Sequence, residues 1–359
     1  MNKSRLVIGG MALVWLVTLA SQPITLYSQR EKRPLATFPK FSWEALVDGK
    51  LTLDIESAVN DQFMARPFWV DLKAATEALL GKQENNGILF GKEHTLFKKR
   101  FVLPDQALTN ARYLEEFLAL VKDLPVTAVL VPGSDAIWTD RLPAGVPQLD
   151  HGALLSEWAK EKGLVDLMPA FKASSDDLYY RLDHHWNLNG AYLAYTELCE
   201  AWGLEPLPMT AFAVETVSGF KGTYANQGQP GSADSEDLSF IDPDILDYQI
   251  GDEHFNSLID REALNGTDKY AAFLHGNPGL ATITVRETEN PRHLIVIKDS
   301  YANSLIPFLT AHFDRITVVD LRTFNGSLQA LLAQGADQIL YLQNFHQFAD
   351  DINVAKLRY

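Results

Sequence analysis

Residues 180–191, YRLDHHWNLNGA, place an aspartate beside two histidines. A carboxylate next to an imidazole can fix the tautomer of the ring and stabilise its charged form, which a general base requires. Asp183, His184 and His185 are therefore candidates for proton transfer. The alternative is a polar loop whose histidines only cap backbone groups, and these residues alone leave both interpretations open.

A second candidate is the serine of KDSYANSLIPFL (298–309), which follows the strand-like segment 293–298. A serine at a strand-to-helix turn can use nearby backbone N–H groups and the helix dipole to stabilise an oxyanion. Ser300 has this position, although it could equally be an N-cap. Pro307 predicts that the regular helix begins only near Ser304, which would then be the cap.

A third candidate is Asn344, just past a predicted strand at 337–342. In a parallel sheet it would lie at the same edge as Ser300, where its amide could donate to an oxyanion or only make a turn. A serine, a histidine with a neighbouring aspartate and an amide donor are the groups that acyl transfer through a serine ester needs.

The elements that must position these residues follow from apolar spacing. After the histidines, apolar residues recur at helical spacing up to Trp202, with Asn187 typical of an N-cap and Gly203 of a helix end. Short apolar strands separated by helices predict an α/β fold with a mainly parallel sheet covered on both faces. Further helices are predicted at 106–122 and 152–162, and strands at 126–131, 163–167, 293–298, 315–320 and 337–342.

The N-terminus has the features of an export segment. Lys3 and Arg5 precede an apolar run over 6–20, which reaches the length of a membrane span if it continues to Leu26. Thr18 is large for a cleavage site, so we favour an uncleaved signal anchor over a cleaved signal peptide in residues 1–27. The basic residues would stay inside, and the protein from about residue 30 onward would work outside the cytoplasm.

The rest of the chain divides into two parts. Residues 28–100 are expected to form a tether and a helical extension, with a helical pattern over 53–80 and a hairpin over 87–99. Residues 101–359 are expected to form the catalytic domain. The region 205–290, rich in Gly, Pro, Asp and Asn, interrupts the alternation and is interpreted as an insertion of loops and minor strands.

Composition excludes several classes. Lys plus Arg total 31 and Asp plus Glu 46, so the net charge is −15 and nucleic acid is not an expected partner. The lone Cys199 permits no intrachain disulfide. DHH phosphoesterases bind metal through a His and paired Asp after the first strand, where only Asp135 is present. Neither a metal nor another cofactor is therefore expected.

Several segments together resemble the DHHW family of bacterial cell-surface proteins, and are similar to the alginate O-acetylation proteins with SGNH-hydrolase-like domains. The DHHW and KDSY segments are the specific ones. The resemblance extends over EKRPLATFP (31–39), NDQFMARPFWVDLK (60–73), NNGILFGK (85–92), YYRLDHHWNLNGAYLAY (179–195), FKGTY (220–224) and IKDSYANSLIPFLTAHFDRITVVDLR (297–322).

The resemblance implies a three-layer α/β/α SGNH-type domain whose motif order is circularly permuted. It makes Ser300 the nucleophile, Asp183 the residue that orients the base, and His185 that base, because the family spacing is Asp-x-His. It also favours Asn344 as an oxyanion donor.

The resemblance further implies a membrane-anchored, extracytoplasmic transferase of acyl groups, acetyl first, onto a cell-surface or secreted polysaccharide. A membrane-bound O-acyltransferase would supply the acyl group. A carbohydrate esterase with the same triad and a non-catalytic polysaccharide-binding component remain open, as does the choice of Gly133 or Gly326 for the oxyanion hole. The residues expected to contact substrate are Arg181, His184, Trp186, Tyr301 and Arg322. The aromatic residues Trp186, Tyr224 and Tyr301 could stack on sugar rings, or else pack in the core.

Overall fold

The computed structural model describes residues 23–28, 33–229 and 234–358. The described residues form two compact units, a smaller one that ends at Asn85 and includes Gln229, and a larger one of Asn86–Gly228 with the described residues from Asp234 onward. The apolar run over 6–20 lies outside the described residues. Within the described ranges, no helix combines the length and the apolarity that crossing a bilayer requires.

The smaller unit is mainly helical. The helical pattern expected over 53–80 forms two helices, because the chain turns at Ala65, whose φ is +52°. Pro67 then fits the first turn of the second helix, where its missing N–H is not needed. The elements are β1 (Tyr27–Ser28), β2 (Arg33–Pro34), α1 (Trp43–Val47), α2 (Lys50–Asp61), α3 (Arg66–Leu79) and β3 (Glu84–Asn85), with β1 antiparallel to β2.

The larger unit begins with the hairpin expected at 87–99. Strands β4 (Ile88–Phe90) and β5 (Leu96–Lys98) pair antiparallel around a 3-10 turn at Lys92–His94. A separate antiparallel pair is formed by β7 (Val214–Phe220) and β8 (Glu236–Ile241).

A seven-stranded mixed sheet is the centre of the larger unit. Its strands are β6 (Val126–Val131), β9 (Asp247–Ile250), β10 (Glu253–Phe255), β11 (Leu280–Thr284), β12 (His293–Lys298), β13 (Arg315–Asp320) and β14 (Gln338–Asn344), in the order β10-β9-β11-β13-β12-β14-β6. The last four in this order are parallel, whereas β9, β10 and β11 are antiparallel. The antiparallel strands all come from the region 205–290, so this region extends the central sheet.

Helices cover both faces of this sheet. On β12, Leu294 and Val296 pack into one hydrophobic cluster, while Ile295 and Ile297 pack into another. A strand buried on both faces has to be apolar throughout, which explains the run LIVI. The α-helices are α4 (Asp105–Leu120), α5 (Ser134–Ile137), α6 (His151–Lys162), α7 (Met168–Ala173), α8 (Leu188–Ala201), α9 (Thr223–Gly228), α10 (Ala302–Leu309), α11 (Leu328–Leu332) and α12 (Phe345–Asp350). Further 3-10 helices are Thr139–Arg141, Met209–Ala211, Ala263–Asn265, Lys269–Ala272 and Ile352–Arg358.

The prediction of a strand over 163–167 was wrong. Only Val165 forms a bridge, parallel to Val129 of β6, and α7 begins directly afterwards. The Asp166 carboxylate accepts a hydrogen bond from the Met168 N–H at 2.9 Å, which favours a helix start over strand continuation.

Candidate active site

The loop before α8 is held at both ends. Tyr179 and Trp186 form an antiparallel bridge, and Asn187 is the expected N-cap, its side chain accepting from the N–H groups of Asn189 and Gly190. In the middle, the Glu236 carboxylate accepts from the N–H groups of Arg181 and Leu182, at 3.0 and 2.8 Å. These contacts fix the backbone immediately before the Asp-His-His cluster.

The turn that carries Ser300 lies between β12 and α10. The Asp299 carboxylate accepts from the Tyr301 N–H at 2.9 Å and from the Asn344 N–H at 2.8 Å. The Tyr270 hydroxyl donates to the Ser300 carbonyl at 3.3 Å. The turn is therefore bonded to the end of β14 through Asp299, and to a residue of the region 205–290 through the Ser300 carbonyl.

The expected helix start at Ser304 was wrong, because α10 already begins at Ala302. Pro307 removes only the backbone hydrogen bond to the Asn303 carbonyl. The Asn303 side chain also accepts from Lys298 Nζ at 2.6 Å, which stabilises the first turn from outside the helix. Ser304 lies within the helix and is buried.

The structure brings Asp183, His185 and Ser300 together. His185 Nε2 lies 2.7 Å from Ser300 Oγ, and His185 Nδ1 lies 2.5 Å from Asp183 Oδ1. The aspartate and the histidine are buried, and the serine is half-buried. A proton on Nδ1 satisfies the carboxylate and leaves the Nε2 lone pair for the serine hydroxyl, which is the tautomer that a general base needs.

Asp183 is surrounded by donors. Oδ1 also accepts from the His185 N–H at 2.9 Å, and Oδ2 accepts from the Thr223 N–H at 2.5 Å. Burial alone would raise the pKa of Asp183, but the imidazoles of His184 and His185 and these hydrogen bonds hold that pKa well below its usual range. Gly222 packs so closely that a Cβ there would lie 2.2 Å from the Asp183 Cβ. The carboxylate therefore stays charged and in place.

Aromatic side chains enclose the His185 ring. Tyr270 stacks on it with ring centroids 3.6 Å apart and planes 8° apart, and the His184 ring centroid is 3.8 Å away. His184 itself is partly exposed, with its Nδ1 3.6 Å from Asp183 Oδ1. Of the two histidines, only His185 is hydrogen-bonded to both Asp183 and Ser300.

The aromatic side chains of Trp186, Tyr224 and Tyr301 are buried in the protein. The Trp186 indole N–H donates to the Tyr301 carbonyl and to Ser304 Oγ, both at 2.9 Å. The Tyr301 hydroxyl donates to the His184 carbonyl. Trp186, Tyr301 and Tyr224 are 0%, 1% and 6% exposed. Of the two roles considered for these residues, core packing fits the structure, because their rings pack inside the protein and stabilise the loop and the helix around Ser300.

Arg181 and Arg322, both expected to contact substrate, differ in exposure and in their bonds. Arg181 is exposed, with its Nε 3.5 Å from Glu236, and lines a surface cleft with Asn187 and Asn189. Arg322 forms two hydrogen bonds to the buried Asp320, at 2.9 and 2.5 Å. The Arg322 guanidinium neutralises this buried carboxylate and its side chain is partly exposed, so a contact between Arg322 and substrate stays a prediction.

The Asn344 side chain stabilises the turn between β14 and α12. Its amide donates to the carbonyls of Val131 and Pro132, at 3.2 and 3.4 Å, and its oxygen accepts from the His346 N–H at 2.9 Å. These bonds cap α12 and join β14 to β6. The side chain in this arrangement is therefore bonded to the backbone, and does not supply a donor to an oxyanion at Ser300.

Of the two candidate glycines, Gly133 is already engaged, because its N–H donates to His151 Nε2 at 3.0 Å. Gly326 packs against the ring of Phe324, and its part in an oxyanion hole stays a prediction. The Ser300 N–H makes no hydrogen bond within the described part of the chain, and it lies just before the N-terminus of α10. A free N–H at this position suits an oxyanion donor.

A second buried cluster lies at the same edge of the sheet. His346 Nδ1 accepts from Arg100 Nε at 3.2 Å, which leaves its Nε2–H to donate to Asp135 Oδ1 at 2.8 Å. His151 Nε2 accepts from the Gly133 N–H. A neutral imidazole has one lone-pair nitrogen, and in both rings that nitrogen is already bonded. The donor set does not fit a metal ion without breaking these bonds.

Sequence reasoning missed four residues that pack against, or hydrogen-bond to, the segment of Asp183 and His185. Gly222, Thr223, Glu236 and Tyr270 all belong to the region 205–290. The segment FKGTY was part of the family resemblance and could have directed attention to Gly222 and Thr223. Tyr270 lies in a segment with no local signal.

Comparisons with known proteins agree with this architecture. A family profile described as "DHHW protein" matches residues 160–319, which include Asp183, His185 and Ser300. A crystal structure of a DHHW family protein from Eubacterium siraeum has 23% identity and a TM-score of 0.62, covering 77% of this chain and 96% of that one. Bacillus cereus PatB1 has 19% identity and a TM-score of 0.60, covering 74% and 98%.

Another structure of PatB1, with a sulfonyl adduct, has 17% identity and a TM-score of 0.60, covering 75% of this chain and 97% of that one. The O-acetyltransferase domain of Pseudomonas putida AlgJ has 16% identity and a TM-score of 0.46, covering 76% and 98%. No curated protein sequence matches the chain. The resemblance to the DHHW family is confirmed, and the mixed α/β fold is that of the E. siraeum protein and PatB1.

Proposed function

We propose that this chain is an extracytoplasmic O-acyltransferase that moves an acyl group, acetyl first, onto hydroxyls of a polysaccharide through an ester on Ser300. The observation that carries the proposal is the hydrogen-bond chain from Asp183 through His185 to Ser300, with distances of 2.5 and 2.7 Å. This arrangement activates a serine hydroxyl, which is a weak nucleophile on its own.

In the first half-reaction, Ser300 Oγ attacks the carbonyl carbon of the donor ester while His185 Nε2 takes the hydroxyl proton. Asp183 stabilises the imidazolium through its hydrogen bond to Nδ1. The tetrahedral intermediate then breaks the bond to the leaving oxygen, which receives the proton from His185. The products are the released alcohol and an acyl ester on Ser300.

In the second half-reaction, a sugar hydroxyl attacks the ester carbonyl and gives its proton to His185. Collapse of this intermediate breaks the bond to Ser300 Oγ, which recovers the proton. The Ser300 N–H and the N-terminus of α10 would stabilise the negative oxygen of both intermediates. This assignment replaces the earlier one to Asn344, whose amide is bonded to backbone carbonyls.

The finer fold assignment is part of the proposal. Asp183 and His185 precede Ser300 in the chain, as a circularly permuted, three-layer SGNH domain requires. The order β13-β12-β14-β6 puts the serine strand inside the parallel part of the sheet. PatB1, which shares the fold, has been observed with a sulfonyl adduct. A sulfonyl fluoride is therefore a suitable probe for an activated nucleophile in this chain.

The location and partners are proposed from the sequence. The run over 6–20, preceded by Lys3 and Arg5, would anchor the chain with its body outside the cytoplasm. A membrane-bound O-acyltransferase would supply the acyl group, and a polysaccharide would accept it.

Transfer and hydrolysis are separated by the fate of the acyl group. The full chain in detergent micelles is incubated with p-nitrophenyl acetate and a panel of unacetylated oligosaccharides, and acetylated sugar and free acetate are measured by mass spectrometry. We expect acetylated sugar that disappears in Ser300→Ala. Free acetate alone, with the same serine dependence, would identify a carbohydrate esterase. Oligosaccharide binding that persists in Ser300→Ala, without acyl chemistry in the native chain, would identify a binding component.

A further inference from the structure

The smaller unit exposes apolar side chains to an unusual degree. More than half of the exposed large apolar side chains in the described residues lie between residues 24 and 80. Within the described part of this unit, the buried apolar residues are only Leu51, Ala58 and Ala74. A contiguous exposed apolar surface usually marks a site of interaction.

Helix α3 directs an apolar stripe outward. The stripe consists of Phe68, Leu72, Ala75 and Leu79, spaced by four, three and four residues, so that the side chains share one helix face. All four are exposed, Phe68 and Leu79 by 59% and 88%. The buried Ala74 lies away from the stripe. An outward apolar stripe on a helix is the reverse of the pattern that packs a helix onto a core.

Helix α1 also exposes apolar side chains. Trp43 and Val47, one turn apart, are 73% and 83% exposed, and α1 has no buried residue. Phe41 is also exposed and lies edge-on against Trp43, with ring centroids 5.0 Å apart. Exposed aromatic side chains near an apolar segment are typical of membrane interfaces.

We propose that α1 and α3 lie on the outer surface of the lipid bilayer, with the stripe and Trp43 in the interface between headgroups and acyl chains. The inference rests on the proposed anchor. Trp43 follows Leu26 by 17 positions, a segment that spans at most about 60 Å when fully extended, so an anchor would hold these helices near the bilayer. Residues 33–82 contain nearly equal numbers of acidic and basic residues, so this segment is close to neutral, whereas the whole chain has a charge of −15.

The stripe spans only two heptads, which is too short for a stable coiled coil with a second copy or another helix. A bilayer surface needs no matching partner helix, and an amphipathic helix binds it through buried apolar area alone.

The test uses the full chain in lipid nanodiscs and two adjacent positions. Leu72→Cys is on the stripe, and Lys73→Cys, whose native side chain is 72% exposed, is the matched control off the stripe. The native Cys199 is buried, and burial raises the pKa of its thiol to about 11, so that it does not react with the label. Each new cysteine carries an environment-sensitive NBD fluorophore. Quenching is measured with doxyl-labelled lipid and with aqueous iodide, after circular dichroism has verified the fold.

We expect doxyl lipid to quench the label at residue 72 roughly threefold more than the label at residue 73, and iodide to show the opposite order. Equal accessibility of both labels to iodide would overturn the proposal. A label at residue 72 shielded from both quenchers would also overturn it, since protein would then cover the stripe. A chain that does not enter nanodiscs would overturn both this proposal and the anchor, while the acyl chemistry of Ser300 is measured separately.

Discussion

Replacing Asp183 with asparagine is the sharpest perturbation of the triad. The side chains have nearly the same size, and the asparagine oxygen can still accept from the Thr223 N–H. Its amide group, however, is a donor that would face His185 Nδ1. The imidazole would then carry its proton on Nε2, directed at Ser300 Oγ. That tautomer cannot accept the serine proton.

The expected magnitude follows from this tautomer change. In a buried triad, loss of the correct tautomer lowers the rate by about 10⁴-fold. This corresponds to roughly 5.5 kcal/mol of lost transition-state stabilisation. The His185–Asp183 distance of 2.5 Å and the burial of both groups favour the full effect. Gly222 packs directly against residue 183, so a water molecule cannot easily enter and take over the role of the charged carboxylate oxygen in the Asp183→Asn variant.

The assay is the acylation rate with p-nitrophenyl acetate, measured from the burst of p-nitrophenol in stopped flow. Asp135→Asn is the matched control, since Asp135 is also buried and bonded to a histidine, His346, outside the triad. The control is expected to lower the thermal midpoint while the acylation rate of the folded protein stays within about threefold. An Asp183→Asn variant that is folded and within tenfold of the native rate would refute the reasoning.

Three further outcomes are expected. Tyr270→Leu removes the ring stacked on His185 and lowers the acylation rate up to about tenfold, whereas Tyr270→Phe keeps the stacking and most of the rate; kinetics of both variants test this. Gly222→Ala brings a Cβ against Asp183, so thermal denaturation will show a loss of about 1–3 kcal/mol. Burial lowers the pKa of His151 from 6.5 to about 4, so folding loses up to about 3 kcal/mol as the pH falls between these values. In urea titrations His151→Gln is expected to lack that part of the pH dependence, and an unchanged dependence would contradict the assignment.

The parallel core could be predicted because its constraints are local. Strands 126–131, 293–298 and 315–320 have the predicted bounds, since burial on both faces demands continuous apolar runs. The helix after the histidines was also found, because Asn187 and Gly203 mark its ends. Asp183 and His185 meet Ser300 across more than 100 residues. Their positions at loop ends on one side of the predicted sheet already grouped them, and the family resemblance gave each residue its role.

The surroundings of the triad could not be predicted because they depend on long-range packing. Thr223 and Tyr270 reach the site from a region whose composition indicates only loops and minor strands. An aromatic residue beside a catalytic motif can stack on a sugar or pack in the core, and residue type does not distinguish the two for Trp186. Asn344 likewise suits an oxyanion donor and a helix cap equally well until the carbonyls of Val131 and Pro132 are located.

The most direct test of the account is to look for the acyl-serine itself. The full chain is incubated with p-nitrophenyl acetate, analysed by intact-protein mass spectrometry and then digested to locate the modification. We predict a single acetyl group on Ser300 that is absent from Ser300→Ala and from His185→Ala. An acetyl group on another residue, or no adduct on a protein whose fold is intact, would contradict the proposed triad.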